Sequence, residues 1–233
     1  MIPEGLRTRL AGYAFERTQL GRVAETYRLR SSGRPTLYLK IADDLAGEHA
    51  RLSWAAGKLP VPSVIGCGDD HLLLGELPGT PAELATSPPI DQLVALMRQL
   101  HALPVADCPF DARVPARLAQ AEANVRAGIV DETDFDDDRR GRSAASVLAE
   151  LRAWPAFEEE LVVTHGDFSL ANLLVDPPGM LDLGRLGVGD RHADLALVLR
   201  DLEPARGEEL IAAYGVQVDA RKLAFYRVLD ELF

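Results

Sequence analysis

The hydrophobic pattern of this chain changes character at Pro78-Gly79-Thr80-Pro81, and that change limits the fold more than any other feature. Before it, apolar residues fall in short runs: Val23 to Leu29, Thr36 to Ile41, Val61 to Cys67 and His71 to Leu77. Runs of this length bounded by turn residues read as strands. Ser31-Ser32-Gly33-Arg34-Pro35 joins the first two as a hairpin, and Gly68-Asp69-Asp70 joins the last two. Between the pairs a helix is expected, capped by Asp43 or Asp44, running through Glu48 and Trp54 and stopping at Gly57. After the change the spacing becomes i, i+3, i+4, i+7. It recurs at Leu93, Leu96, Met97, Leu100, at Leu195, Val198, Leu199, Leu202, and at Phe225, Val228, Leu229, Leu232. These are stripes of amphipathic helices, the first two stopped by Pro104 and Pro204. Short β-like runs, Leu161 to Thr164, Leu173 to Val175 and Met180 to Leu183, lie between them. The pattern predicts an α+β fold: a small N-terminal antiparallel sheet with one helix over 1–77, then a larger, mainly helical lobe over 78–233. The cleft between two such lobes is a natural small-molecule site.

Composition narrows the partners. The 233 residues are 47% hydrophobic and 26% charged, enough to bury a core unaided. Only Cys67 and Cys108 are present, with no C-x-x-C spacing, which excludes a disulfide scaffold and a four-thiolate zinc site. The net charge of -11 argues against nucleic acid or an anionic membrane as the main partner. The first residues, Met1 to Gly5, lack the basic and apolar regions of a signal peptide, and no apolar run approaches the ~18 residues of a membrane span. A cytoplasmic protein is the expectation.

The chemistry concentrates in His165-Gly166-Asp167-Phe168-Ser169-Leu170-Ala171-Asn172, followed by Asp182-Leu183-Gly184. Asp167 follows an apolar strand and therefore opens a loop at the strand's end. A hairpin through Asp176-Pro177-Pro178-Gly179 would return Asp182 to the side of Asn172. An amide oxygen and a carboxylate together suit Mg²⁺ carrying substrate phosphates. Asp167 would stand opposite as the base that orients a hydroxyl. This is the kinase order H-x-D-x-x-x-x-N, then D-x-G. The bland alternative, three polar residues decorating loops, explains any one of them but not the ordered set.

Phosphoryl transfer also needs a cation on the nucleotide phosphates, held by an acid. Lys40, at the end of its strand, and Glu48, on the helix that follows, have the right order and elements. Lysine occurs only at 40, 58 and 222, which shortens the search. There is no G-x-x-x-x-G-K-[ST], so this is no P-loop enzyme. Nor is there a G-x-G-x-x-G between the first strands: Gln19 to Ala24 has one glycine, so phosphate contacts there would come from backbone N–H groups of a tighter turn.

These residues resemble the bacterial aminoglycoside phosphotransferases, and most of all the branch that acts on the 3′-hydroxyl of kanamycin and neomycin. The resemblance rests on Val163 to Asp167, Asn172 and the run Asp182 to Arg191. It extends to Leu72 to Gly79, Cys108 to Asp111 and Ala224 to Glu231. The HGD motif is shared with choline, homoserine and other small-molecule kinases, whereas the Gly184 to Arg191 run and the C-terminal residues are more specific. The resemblance implies a protein-kinase-like bilobal fold and an enzyme using ATP or GTP with Mg²⁺. By position it implies that Asp167 is catalytic, that Asn172 and Asp182 hold the metal, and that Lys40 and Glu48 serve the phosphates. Glu76 and Leu77 would lie at the adenine hinge. Substrate contacts would fall on Asp134, Asp136, Asp137, Arg185, Arg200, Asp201, Asp230, Glu231 and Phe233, the last through its terminal carboxylate. The hairpin between Asn172 and Asp182 and the segment Glu203 to Gly207 are shorter than the family pattern, without loss of a chemical group.

A cationic, polyamine substrate agrees with the charge. Six acids in the eight residues 131–138 make a negative patch that attracts cations, although such blocks are more usually solvated surface. Two rival readings remain: a kinase for another small alcohol, choline-like or homoserine-like, on the same fold, and an inactive binding protein. The second would need damage at Lys40, Asp167, Asn172 or Asp182, and all four are intact.

Overall fold

The computed structural model describes residues 4–18 and 24–233. The expected phosphate-contacting turn at Gln19 to Ala24 lies outside these, apart from Ala24 itself. Strands β1 (Ala14–Arg17), β2 (Glu25–Arg30), β3 (Leu37–Ile41), β4 (Val64–Cys67) and β5 (His71–Gly75) form one antiparallel sheet in the order β1-β2-β3-β5-β4. The four expected strands are there, with one or both ends shifted by one to three residues. A short helix, α1 (Glu4–Arg9), and β1 precede them without having been expected. β1 is a largely exposed edge strand with little apolar content to signal it. Leu6 and Leu10 of the α1 segment bury against Leu29, Leu39 and Leu73 on one face of the sheet. Side chains alternate along a strand, so Leu39 is fully buried on that face while its neighbour Lys40 points to the other. Helix α2 (Ala46–Ala55) begins where Asp44 Oδ1 accepts the Ala46 N–H at 3.1 Å, and Gly57 takes a left-handed φ of 75° just past its end.

The larger part holds α3 (Ile90–His101), α4 (Val114–Ala127), α5 (Ala144–Arg152), α6 (His192–Asp201), α7 (Pro204–Tyr214) and α8 (Ala220–Asp230). α3, α6 and α8 are the three helices expected from spacing. Leu93, Met97, Leu100, Leu195 and Val198 have no exposed surface, as a buried stripe requires. α4 escapes a pattern search because only Ala121 and Asn124 on it are buried. Among these helices run two small sheets. β7 (Leu161–Thr164) pairs antiparallel with β10 (Gly187–Asp190), and β6 (Thr80–Pro81), β8 (Leu173–Val175) and β9 (Gly179–Met180) form a second sheet in the order β6-β8-β9.

Two departures in these sheets bear on the site. The run from Met180 to Leu183 is not one strand: β9 ends at Met180 because Asp182 adopts a left-handed φ of 51° that no strand accommodates. Conversely, glycine-rich Gly187-Val188-Gly189-Asp190 is a strand. Phe110 O accepts from Val188 N and Ala112 N donates to Val188 O, each at 2.8 Å, and a Cβ on Gly189 would meet Ala112 O at 2.8 Å. Glycine is therefore demanded by a chain lying against this strand, not by a turn. A continuous apolar cluster joins Leu52 of α2 and Leu72 of β5 to Leu93 and Met97 of α3, Phe168 and Leu173, so the sheet and the helical part share a core.

Candidate active site

Lys40 and Glu48 meet as their elements predict. Lys40 Nζ lies 2.7 Å from Glu48 Oε2, with the two side chains only 14% and 8% exposed. The same ammonium reaches across the cleft to Asp182 Oδ2 at 3.1 Å. Burial alone would lower the Lys40 pKa, but Asp182 and Glu48 outweigh it and hold it above the ordinary lysine value. Burial pushes the Glu48 carboxyl up against the pull of Lys40. At Asp182, Lys40 wins over burial and keeps the carboxyl below its usual range. Helix α2 is tied to the larger lobe at two further points: Arg51 Nε donates to Leu186 O at 2.7 Å, and Trp54 Nε1 donates to Asp107 O at 2.9 Å.

The loop after β7 is held by a buried acid on α6. Asp194 is wholly buried, and its carboxylate accepts the N–H groups of His165 and Gly166, each at 2.8 Å. His101 Nε2 stands 3.0 Å from the same carboxylate, and its Nδ1 is 2.6 Å from the Tyr214 hydroxyl. His165 Nε2 lies 2.8 Å from Leu181 O, while its Nδ1 accepts the Asp167 N–H at 3.3 Å. That pattern requires the proton on Nε2, and it joins the Asp167 loop to the residue before Asp182. Asn172 closes the loop: its Nδ2 donates to Asp167 O at 3.1 Å, and its own carbonyl accepts from Leu181 N at 2.8 Å. Phe168, fully buried between these contacts, anchors the loop in the core. Burial raises the Asp167 carboxyl above the ordinary aspartate value, with the nearby Arg185 guanidinium opposing it.

The donor set suits a magnesium ion that keeps waters and substrate phosphates as ligands. Asn172 uses its Nδ2 on Asp167 O, which turns Oδ1 to other use, and Asp182 is 43% exposed to the cleft. Among the described residues no three His, Cys, Asp or Glu side chains cluster as an all-protein metal cage. Mg²⁺ in phosphoryl-transfer sites is bound by one or two protein oxygens and by phosphates.

The residues expected to face the substrate divide into two groups. Arg185, Asp230, Arg200 and Asp201 form one chain. Arg185 Nη1 is 2.7 Å from Asp230 Oδ1 and 3.9 Å from Asp167 Oδ2. Arg200 Nη1 holds the other Asp230 oxygen at 2.8 Å. The two arginines outweigh burial and keep the Asp230 carboxyl below its usual range. Asp201 Oδ2 accepts the Leu170 N–H at 2.8 Å, so its carboxylate supports the loop between Asp167 and Asn172. Phe233 stacks under Arg185, whose guanidinium carbon is 4.8 Å from the ring centroid. Glu231 turns elsewhere: its carboxylate accepts the Asp136 N–H at 3.1 Å and pairs with Arg139 at 3.3 Å. It thereby docks the acidic loop onto the end of α8. Within that loop Phe135 is buried, Asp137 pairs with Arg140, and Asp134 and Asp137 are exposed. Glu76 N donates to Thr36 O at 3.2 Å and its carboxylate takes Arg28 at 2.7 Å.

Sequence reasoning missed Asp194, His101 and Arg51. Asp194 left one signal, an acid inside the apolar run Ala193-Asp194-Leu195-Ala196-Leu197-Val198. The others announce themselves only in three dimensions.

With this geometry in place, the profile of the phosphotransferase enzyme family matches residues 13–229. The chain belongs to that family. An aminoglycoside 3′-phosphotransferase of Streptomyces fradiae is 41% identical over 232 residues, covering 86% of this chain and 87% of that protein. One from Escherichia coli is 37% identical over 249 residues, covering 96% and 92%. The crystal structure of an aminoglycoside 3′-phosphotransferase of type VIII superposes with a TM-score of 0.88 at 38% identity, covering 98% of this chain and 97% of that one. An aminoglycoside phosphotransferase of Streptomyces rimosus, solved with ADP and streptomycin, matches with a TM-score of 0.84 at 26% identity over 97% of this chain and 95% of that one. This phosphotransferase therefore has the family's α+β, kinase-like bilobal fold.

Proposed function

We propose that this phosphotransferase moves the γ-phosphoryl group of ATP or GTP to a hydroxyl of an aminoglycoside, the 3′-hydroxyl of kanamycin- and neomycin-type substrates, and so confers resistance. The observation that carries the reading is the row Glu48–Lys40–Asp182, closed across the cleft at 2.7 and 3.1 Å. It stands beside Asp167 and Asn172 on one hydrogen-bonded loop. The Streptomyces and Escherichia relatives, named as 3′-phosphotransferases, support the acceptor.

Each group has a part. Lys40, oriented by Glu48, binds the nucleotide phosphates. Asn172 and Asp182 would hold Mg²⁺, which would supply positive charge near the phosphates. Asp167 aligns the acceptor hydroxyl and takes its proton; a carboxyl raised by burial is a better base than an exposed one. The Glu76 carbonyl and the Leu77 main chain take the purine edge, since the Glu76 N–H already serves Thr36. Asp134, Asp136 and Asp137 attract the polycation, and Asp230 and Phe233, beside Arg185, receive it. Catalysis is mostly positioning and electrostatics.

The test is a pair of variants in a coupled ADP-release assay. Asp167→Ala is expected to lower turnover by about 10²-fold or more while ATP still binds. Asp182→Ala is expected to abolish the magnesium-dependent rate. Near-normal turnover in the first, or an unchanged magnesium dependence in the second, overturns the assignment.

A further inference from the structure

Arg117, on α4, belongs to no motif in the sequence, yet its side chain ends directly behind the catalytic loop. One of its Nη groups donates to the carbonyl oxygen of Arg185. A Cβ built on Gly166 would meet the same Nη at 2.3 Å and Arg185 O at 2.5 Å. Gly166 is thus glycine for two reasons: its φ of 78°, and the guanidinium occupying the space a side chain would need. The Arg117 guanidinium also lies 5.7 Å from the Phe233 ring that carries Arg185. With Gly166, Arg185, Asp230 and Phe233 it lines a cavity of about 30 Å³.

The electrostatics of this placement are unfavourable. Among the described residues Arg117 has no carboxylate at ion-pair distance, whereas Arg185 is paired with Asp230. Burial, and then the neighbouring Arg185 guanidinium, pull the Arg117 pKa down to about 10. An apolar side chain of similar length would fill the space without desolvating a charge. What an apolar side chain lacks is the donor for Arg185 O and a rigid planar group against Gly166.

We propose, resting on the phosphotransferase reading above, that Arg117 is a positioning residue: it fixes the main chain of Gly166 and Arg185 from behind. Asp167, next to Gly166, and the Arg185 guanidinium thereby keep their mutual placement at the acceptor hydroxyl. Lys40, on the nucleotide side, is held by Glu48 and Asp182 and not by Arg117.

The test compares the full chain with Arg117→Met and Arg117→Lys, with and without aminoglycoside. Misplacement of a catalytic group by about 1 Å costs on the order of 10²-fold, so Arg117→Met is expected to lose roughly 10- to 100-fold in kcat. KM for ATP should stay within about twofold. The melting temperature should change little, because removing a desolvated charge offsets the lost donor to Arg185 O. Lysine keeps a donor and should recover part of the rate. Amide hydrogen exchange, which needs no activity, should quicken in peptides covering 164–170 and 185–187 of Arg117→Met and nowhere else. Unchanged kcat and exchange refute the role. Equal losses in both variants with a lowered melting temperature refute it too, and make Arg117 a strut of the fold. If the wild type transfers no phosphate to aminoglycosides, the functional reading fails, and the exchange result alone decides on Arg117.

Discussion

Asp194 is wholly buried, and the structure makes it the residue on which the loop from His165 to Asn172 hangs. Asp194→Asn keeps the size of the side chain but puts an NH₂ where one oxygen stood. At the Oδ2 position it would face the His165 N–H; at Oδ1, the Gly166 N–H, both now at 2.8 Å. Either way one buried backbone donor loses its acceptor, at about 1–3 kcal/mol, and the surviving bond loses its charge assistance, about 1 kcal/mol more. His101 can exchange the proton between its ring nitrogens and accept from the amide, because Nδ1 faces a hydroxyl able to donate or accept. It therefore adds little. The sum is about 2–4 kcal/mol, which for a chain of this size lowers Tm by roughly 5–15 °C. Slack at Gly166 also displaces Asp167, so kcat should fall by at least about tenfold, with KM for ATP nearly unchanged. Thermal melts and a coupled ADP assay on the same preparations measure both. A Tm within about 2 °C of wild type together with a kcat within about twofold would refute the reasoning.

The remaining predictions concern charge. Burial holds the Asp167 carboxyl above the ordinary aspartate value and Arg185 opposes this, so activity should fail on the acid side at a higher pH than an exposed aspartate would give. Removing the opposing cation in Arg185→Met should move that limb to still higher pH, and a limb that stays or moves down contradicts the arrangement. Neutralising Asp134, Asp136 and Asp137 together should raise KM for the aminoglycoside and flatten its increase with ionic strength, since screening at ~0.15 M already shortens electrostatic reach to about 8 Å. A KM indifferent to salt and to the substitutions would make the run plain solvated surface.

Much of this fold was legible because its cues are local. Four strands and helix α2 followed from short apolar runs between turn residues, a capping aspartate and a stopping glycine; α3, α6 and α8 followed from one apolar stripe each. The order Lys40, Glu48, Asp167, Asn172, Asp182 was legible because the residue types and their spacing along the chain carry it, even though Asp182 lies past the end of its short strand. What could not be read depends on distant contacts. β10 hides behind two glycines because their reason is the chain at Phe110 to Ala112 crossing the strand. α4 has too few buried positions to make a stripe. Glu231 and Asp201 are acids beside a site expected to take a cation, as a substrate ligand would be, but each carboxylate meets a backbone N–H far along the chain, at Asp136 and Leu170. Sequence spacing holds no trace of such pairs. The same is true of Arg117, whose meaning comes only from what lies behind Gly166.

The central claim is tested most directly by incubating the enzyme with ATP, Mg²⁺ and kanamycin and locating the phosphate on the product by NMR. The account predicts stoichiometric ADP release and a single phosphate on the 3′-oxygen, both lost in Asp167→Ala. Phosphate transfer to choline or homoserine with none to kanamycin, or transfer that persists in Asp167→Ala, would contradict it.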